Sequence, residues 1–234
     1  MIFNLEGIET LNMDAATIAG IFAGTITSWD APEIAATNEG VELTSTPITA
    51  VHRSDDSGTT KNFADYLGQN APDVWTEKAE DPFPYQTGEG AQGTSGVVDA
   101  VTNGVGTIGY ADASRAGDLG VAKLKVGDEF VDYSAEAAAA VVTGSPLVEG
   151  REANDLAFEL NRTTTNPAEY PLVLVSYAIV CTEYADPDKA ELVKAYVGYM
   201  ASAEGQAEAA KSAGAAPMET ELQDKVAAVL ESVK

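Results

Sequence analysis

Thiols and imidazoles are almost missing from this sequence, which carries one cysteine, Cys181, and one histidine, His52. A lone cysteine closes no internal disulfide and no multi-cysteine metal site. A lone histidine cannot supply the His-rich coordination zinc usually takes. No metal ligands, no cofactor and no catalytic group are assigned, and any hydrolytic triad would depend on His52 alone. Cys181 follows an apolar run, so it reads as a buried structural thiol.

Positive charge is scarce as well. Thirteen basic side chains face 37 acidic ones, for a formal net charge of −24. A field of that sign keeps the surface solvated and excludes nucleic acid as a partner. It also repels small anions, so an anion site here must be built from short-range donors. At physiological salt the opposing field is screened beyond roughly 8 Å, which leaves local geometry to decide. No apolar stretch approaches the ~20 residues that cross a bilayer. Met1 runs directly into Ile2-Phe3-Asn4-Leu5, so this chain shows no signal peptide. No period of about 20 to 50 residues repeats, which excludes a solenoid or propeller.

What is present is ordinary for a folded domain: 234 residues, 45% of them apolar and 21% charged. Short apolar runs alternate with helical patterns, which predicts an α/β fold. Asp14 caps a predicted first helix that ends at Gly24, and Asp30-Ala31-Pro32-Glu33 reads as a second start with Asp30 as its cap. Pro47–Val51 is a predicted strand, and Phe63, Tyr66 and Leu67 lie on a predicted helix. The stretch from Gly68 to Gly90 reads as irregular or partly helical. Beyond it come a helix opened by Gly93-Thr94-Ser95-Gly96, a short buried strand at Thr107–Tyr110 and a hairpin turning at Gly127-Asp128. Ala135–Val142 is a helix by composition. Tyr170–Val180, the longest apolar run, reads as a fully buried central strand. Three helices follow, at 187–200, 203–213 and 219–233; the first has Leu192, Tyr196 and Tyr199 on one face.

One segment carries chemistry. Arg53-Ser54-Asp55-Asp56-Ser57-Gly58-Thr59-Thr60 lies between a predicted strand and a predicted helix. That placement aims free N–H groups and the positive end of the helix dipole at the turn. Gly58 admits close approach to the main chain. Ser57 and Thr59 add hydroxyl donors, which equally serve as helix caps when no ligand is bound. Arg53 adds a planar fork of donors matched to a tetrahedral oxyanion, and Asp55 is placed to hold that fork by a salt bridge. The nucleotide P-loop ending and the nucleophile-elbow pattern are both missing here. A serine hydrolase reading would need His52 to face Ser57, yet neighbouring residues on a strand point to opposite faces. Gly93-Thr94-Ser95-Gly96 has no basic neighbour and reads as a plain helix start.

The run Val51–Thr60, followed by Asn62-Phe63-Ala64-Asp65-Tyr66-Leu67, resembles the signature of the phosphate-binding proteins of phosphate ABC transporters. Phe3-Asn4-Leu5, Ile21-Phe22-Ala23-Gly24, Ile26-Thr27-Ser28-Trp29, Gly106-Thr107-Ile108-Gly109-Tyr110 and Tyr170-Pro171-Leu172 agree with it. The resemblance implies a two-lobed periplasmic-binding-protein (type II) fold closing over one phosphate. It implies that Arg53 pairs with the anion, that Ser57, Gly58 and Thr59 donate to it, and that Asp55 orients the arginine. Asp56 stands where some relatives have glycine.

Relatives begin with a leader, often lipid-anchored, and then roughly the first half of lobe one. That portion holds a second set of donors and the carboxylate that accepts the ligand's proton. The resemblance therefore implies an incomplete first lobe: residues 5–168 as lobe two, with 1–4 and 169–234 as a crossover strand and the C-terminal half of lobe one. It further implies inorganic phosphate and a transporter permease as partners. The full-length protein would be extracytoplasmic, meeting the membrane only through the permease or an anchor outside this chain.

Overall fold

The computed structural model describes residues 1–234, and the chain divides by its contacts into two units. The first unit comprises Met1–Tyr133 and Arg162–Leu174, and the second Ser134–Asn161 and Val175–Lys234. Residues 134–161 thus cluster with the C-terminal residues, whereas the division expected from sequence grouped them with 5–168.

The first unit is built on a seven-stranded mixed sheet. Its strands are β1 (Ile2–Asn4), β2 (Thr10–Met13), β3 (Thr49–Arg53), β4 (Glu89–Ala91), β5 (Thr107–Gly109), β6 (Gly120–Val126) and β7 (Glu129–Val131). They run in the order β2-β6-β1-β5-β3-β4, with β7 paired to β6. β3 is parallel to both its neighbours, β4 and β5. β1 is antiparallel to β5 and β6. Side chains alternate across the sheet as a strand requires. Ile2 and Val51 join Val97 and Val101 of α4 (Gly93–Asn103) in one buried cluster. Phe3, next to Ile2, packs its ring 5.6 Å from Trp29 instead.

Three further α-helices, α1 (Ala15–Phe22), α2 (Pro32–Ala35) and α3 (Gly58–Asn70), and a short 3-10 turn at Ala113–Arg115 complete this unit. Asp14 caps α1 as expected, its carboxylate accepting from Thr17 N at 2.8 Å. α2 starts one residue later than read from sequence. Its cap residue is Ala31, and Asp30 accepts from the Ser28 hydroxyl. The edge strand β2 has no alternating pattern long enough to be seen in the sequence. Its outer side is satisfied by the amide of Asn38, which accepts from Asn12 N and donates to Asn12 O, both at 2.8 Å. A side chain thereby closes an edge that would otherwise template further pairing.

The second unit holds α5 (Ala135–Thr143), α6 (Pro187–Ala201), α7 (Ala203–Ala213) and α8 (Thr220–Glu231). Ser134, Asp186 and Ser202 cap the first three through their side chains. Two expectations fail here. Tyr170–Val180 forms no strand, because no strand of the chain pairs with it, and apolar β-branched composition cannot hold an extended backbone without a hydrogen-bonding neighbour. Within that run Tyr170 is buried, but Ile179 is 95% exposed, and Cys181 is exposed rather than buried. The face of α6 bearing Leu192, Tyr196 and Tyr199 is likewise open, Tyr196 at 66%. No helix in the chain is long and apolar enough to cross a membrane.

Candidate functional site

The site begins where β3 ends. Register places Val51 opposite Gly109 of β5, and Arg53 opposite Ala91 of β4. The chain then leaves the sheet, with Ser54 N still donating to Ala91 O at 3.0 Å, and turns into α3 four residues later. Ser57 is the cap of α3, with extended backbone (φ −150°, ψ 126°), and its hydroxyl oxygen accepts from Thr59 N at 3.1 Å. The Ser57 amide is tied down by Asp81 O at 3.0 Å. As the first helical residue, Gly58 has an amide with no intrahelical acceptor.

Glycine at 58 is not required by its own backbone, since its φ is not positive and a Cβ placed there meets nothing within 4 Å. The open space above it is what a side chain would occupy. Gly93, where α4 opens, is different: its φ of +67° lies in the left-handed region that favours glycine.

The guanidinium of Arg53 is held by two parallel bonds to one carboxylate, Nε to Asp55 Oδ1 at 2.7 Å and Nη2 to Asp55 Oδ2 at 2.5 Å. Its side chain is 12% exposed. Asp55 Oδ1 also accepts from Gly93 N at 3.0 Å, so one carboxylate joins the arginine to the start of α4. The hydrogen bonds from Arg53 and then from the Gly93 amide hold the Asp55 carboxyl well below the usual carboxylate range. The same contact with Asp55 raises the arginine. Both groups therefore stay charged across physiological pH.

A cavity of about 420 Å³ opens beside this pair, walled by Arg53, Asp55, Asp56, Phe83, Tyr85 and Thr87, among others. Asp56 is exposed on its wall and brings negative charge next to the turn. His52 also lines this cavity. Its ring lies flat on Phe83, with centroids 3.9 Å apart, and its Nδ1 is 2.9 Å from Arg53 O. Since a carbonyl only accepts, that nitrogen carries the proton.

The structure thus gathers Arg53, Asp55, Ser57, Gly58 and Thr59 on one strand–turn–helix, as the sequence spacing implied. Sequence reasoning missed three supports of that turn. Asp81 lies in a stretch read as irregular. Gly93 was read as a plain helix start, though its amide fixes Asp55. Tyr110 belongs to the Gly106–Tyr110 motif, which carried resemblance but no assigned role. No cluster of His, Cys, Asp and Glu suited to a metal ion is present.

The PBP superfamily domain pattern matches residues 1–204. The chain belongs to the PBP superfamily. It is 34% identical over 99% of its length to the phosphate-binding protein PstS 2 of Mycobacterium tuberculosis, covering 63% of that protein. It is 36% identical over 83% of its length to phosphate-binding protein PstS 3 of Mycobacterium leprae, covering 54% of it. Among solved structures it resembles a high-affinity periplasmic phosphate-binding protein, PfluDING, bound with phosphate. The TM-score there is 0.72 at 21% identity, over 97% of this chain and 67% of that one. A phosphate-binding protein from Stenotrophomonas maltophilia gives 0.60 at 18% identity, with coverage of 97% and 66%. This PBP-superfamily chain therefore has the mixed α/β fold of those structures, and it spans 54% to 67% of the length of these relatives.

Proposed function

We propose that this PBP-superfamily chain binds inorganic phosphate reversibly and belongs to the extracytoplasmic component that hands phosphate to an ABC-transporter permease. The observation that carries the reading is the Arg53–Asp55 fork beside the open start of α3. A tetrahedral oxyanion at that turn meets a guanidinium edge, the Gly58 amide and the hydroxyls of Ser57 and Thr59. Each is a charge-assisted or dipole-aligned donor of the kind that binds phosphate at helix starts. Similarity to proteins named for phosphate binding supports phosphate over other tetrahedral anions.

Binding without turnover fits the same geometry. Ser57 Oγ accepts from Thr59 N as a helix cap, and His52 is committed to Phe83 and to Arg53 O. The anion site expected here is one jaw of a two-lobed protein. The resemblance assigns the second set of donors, and the carboxylate that reads the ligand's proton, to the part of the relatives that this chain does not span. The isolated 234-residue chain should therefore bind phosphate weakly, and the same chain joined to that part of a relative should bind it tightly.

Phosphate titration followed by calorimetry, or by ³¹P line shapes where binding is weak, tests the proposal. Arg53→Ala should weaken binding by well over tenfold, because leaving a buried charge-assisted contact unpaired costs about 2–5 kcal/mol. Unchanged affinity in that variant overturns the reading. Sulfate that competes as well as phosphate would redirect it to oxyanions in general.

A further inference from the structure

The anion turn has two feet, Arg53 at the end of β3 and Thr60 in the first turn of α3, and a single buried hydroxyl touches both. Tyr110 follows β5, one step beyond the Val51–Gly109 pair, where the sheet no longer provides a partner for β3. On its other side Arg53 is paired with Ala91 of β4. On this side its amide donates to Tyr110 Oη at 3.0 Å. The same phenol oxygen lies 2.7 Å from Thr60 Oγ1, a contact in which either hydroxyl can donate. Thr60 is fully buried and Tyr110 nearly so. The ring is fixed by stacking on Phe63, at 4.5 Å and 22°, with Phe22 5.8 Å away.

We propose that Tyr110 is a positioning residue for the oxyanion turn: its hydroxyl sets the span between Arg53 and the first turn of α3. That span fixes how the guanidinium and the Gly58 amide converge on one anion. The inference rests on the phosphate reading above. Both bonds end on the flanks of residues 54–59, the only stretch between them, so the phenol acts as a brace across the base of the loop. Without it, Arg53 remains tied to Asp55 and Ser57 still caps α3, but the two halves lose their common reference. Burial raises the phenol above its ordinary range, so it stays neutral and keeps its proton at any pH where the protein is folded near neutrality. A misplacement of about 1 Å in a preorganised site is enough to cost substantial binding.

Tyr110→Phe removes the hydroxyl and keeps the ring. Phosphate affinity, measured well below the unfolding temperature, should fall by about tenfold, the factor to which the net contribution of about one hydrogen bond corresponds. Thr60→Val should cause a similar loss, and the double variant should fall little further, because the two substitutions break one brace. A purely structural contribution is separated by Phe22→Leu, which weakens the same aromatic cluster without touching the turn. That variant should lose stability and keep its affinity within about twofold of the parent. Hydrogen exchange gives an independent readout: the Arg53 amide should exchange more than tenfold faster in Tyr110→Phe, with the Val51 amide unchanged. Parent-level affinity in Tyr110→Phe, or an equal loss in Phe22→Leu, overturns this inference while leaving the phosphate reading in place. A parent chain whose phosphate affinity does not respond to Arg53→Ala overturns both.

Discussion

Gly58 isolates what the turn does from what holds it together. Nothing lies within 4 Å of a Cβ at this position, and its backbone is already helical. Replacing glycine with alanine at a compatible position stabilises a protein by about 0.4–1 kcal/mol, chiefly by restricting the unfolded chain. The new methyl group would project into the space above the amide, where a bound oxyanion would sit. Gly58→Ala is therefore expected to melt no earlier than the parent, in calorimetry or urea titration, while its phosphate affinity drops at least tenfold, as when a bound group loses its close approach to the main chain. A variant that binds as well as the parent would place the anion elsewhere. The place of this residue at the start of α3 was legible in the sequence because it depends on neighbours at fixed local spacing. Arg53 was legible for the same reason: its partner Asp55 is two residues away.

At the level of elements, the return of the chain onto the first unit depends on Arg162. It is 2% exposed, and its guanidinium reaches Asp65 Oδ2 at 3.0 Å, Pro171 O at 2.9 Å, Val173 O at 2.7 Å and the side chain of Asn62. One side chain thus fastens residues 162–174 to α3. Truncating it strands two backbone carbonyls, each costing about 1–3 kcal/mol when left buried and unsatisfied, whereas the Asp65 carboxylate, 39% exposed, can turn to water. Both tryptophans of the chain, Trp29 and Trp75, are buried in this unit, so their fluorescence reports its unfolding selectively. Arg162→Ala should shift the urea midpoint seen by tryptophan emission downward by an amount matching that loss. An unmoved midpoint would mean that the segment is held by its apolar contacts instead. Nothing in Asn161-Arg162-Thr163 announces this role. A lone arginine in a polar stretch reads as a solvated loop charge, and its partners lie up to 100 residues away. Elements with local signals fared better: the cap of α1 and the turn of the β6–β7 hairpin were readable from cap and glycine chemistry. Tyr170–Val180 was misread because composition reports what suits a strand, whereas forming one requires a partner edge. β2 escaped notice for the converse reason, since four residues carry too little pattern and its pairing is set by β6.

For the molecule as a whole, a net charge of −24 works against the function proposed for it. Donors at the turn act over a few ångströms, whereas repulsion from the surrounding carboxylates acts on an approaching anion at longer range. Salt separates the two. Raising ionic strength from about 0.01 M to about 0.15 M shortens the screening length from roughly 30 Å to roughly 8 Å. That change removes most of the long-range repulsion and leaves contacts inside the turn, where the guanidinium is already shielded by the protein, much less affected. The association rate for phosphate, obtained from ³¹P exchange line shapes, should therefore rise over this range, the reverse of what a basic anion-binding protein shows. The dissociation rate should change far less, because it is set by bonds broken at contact. An association rate that falls steeply with salt would mean that positive charge steers phosphate in. Since Arg53 is the only arginine or lysine on the cavity wall, such a result would require an entry path lined by basic residues other than the turn described here.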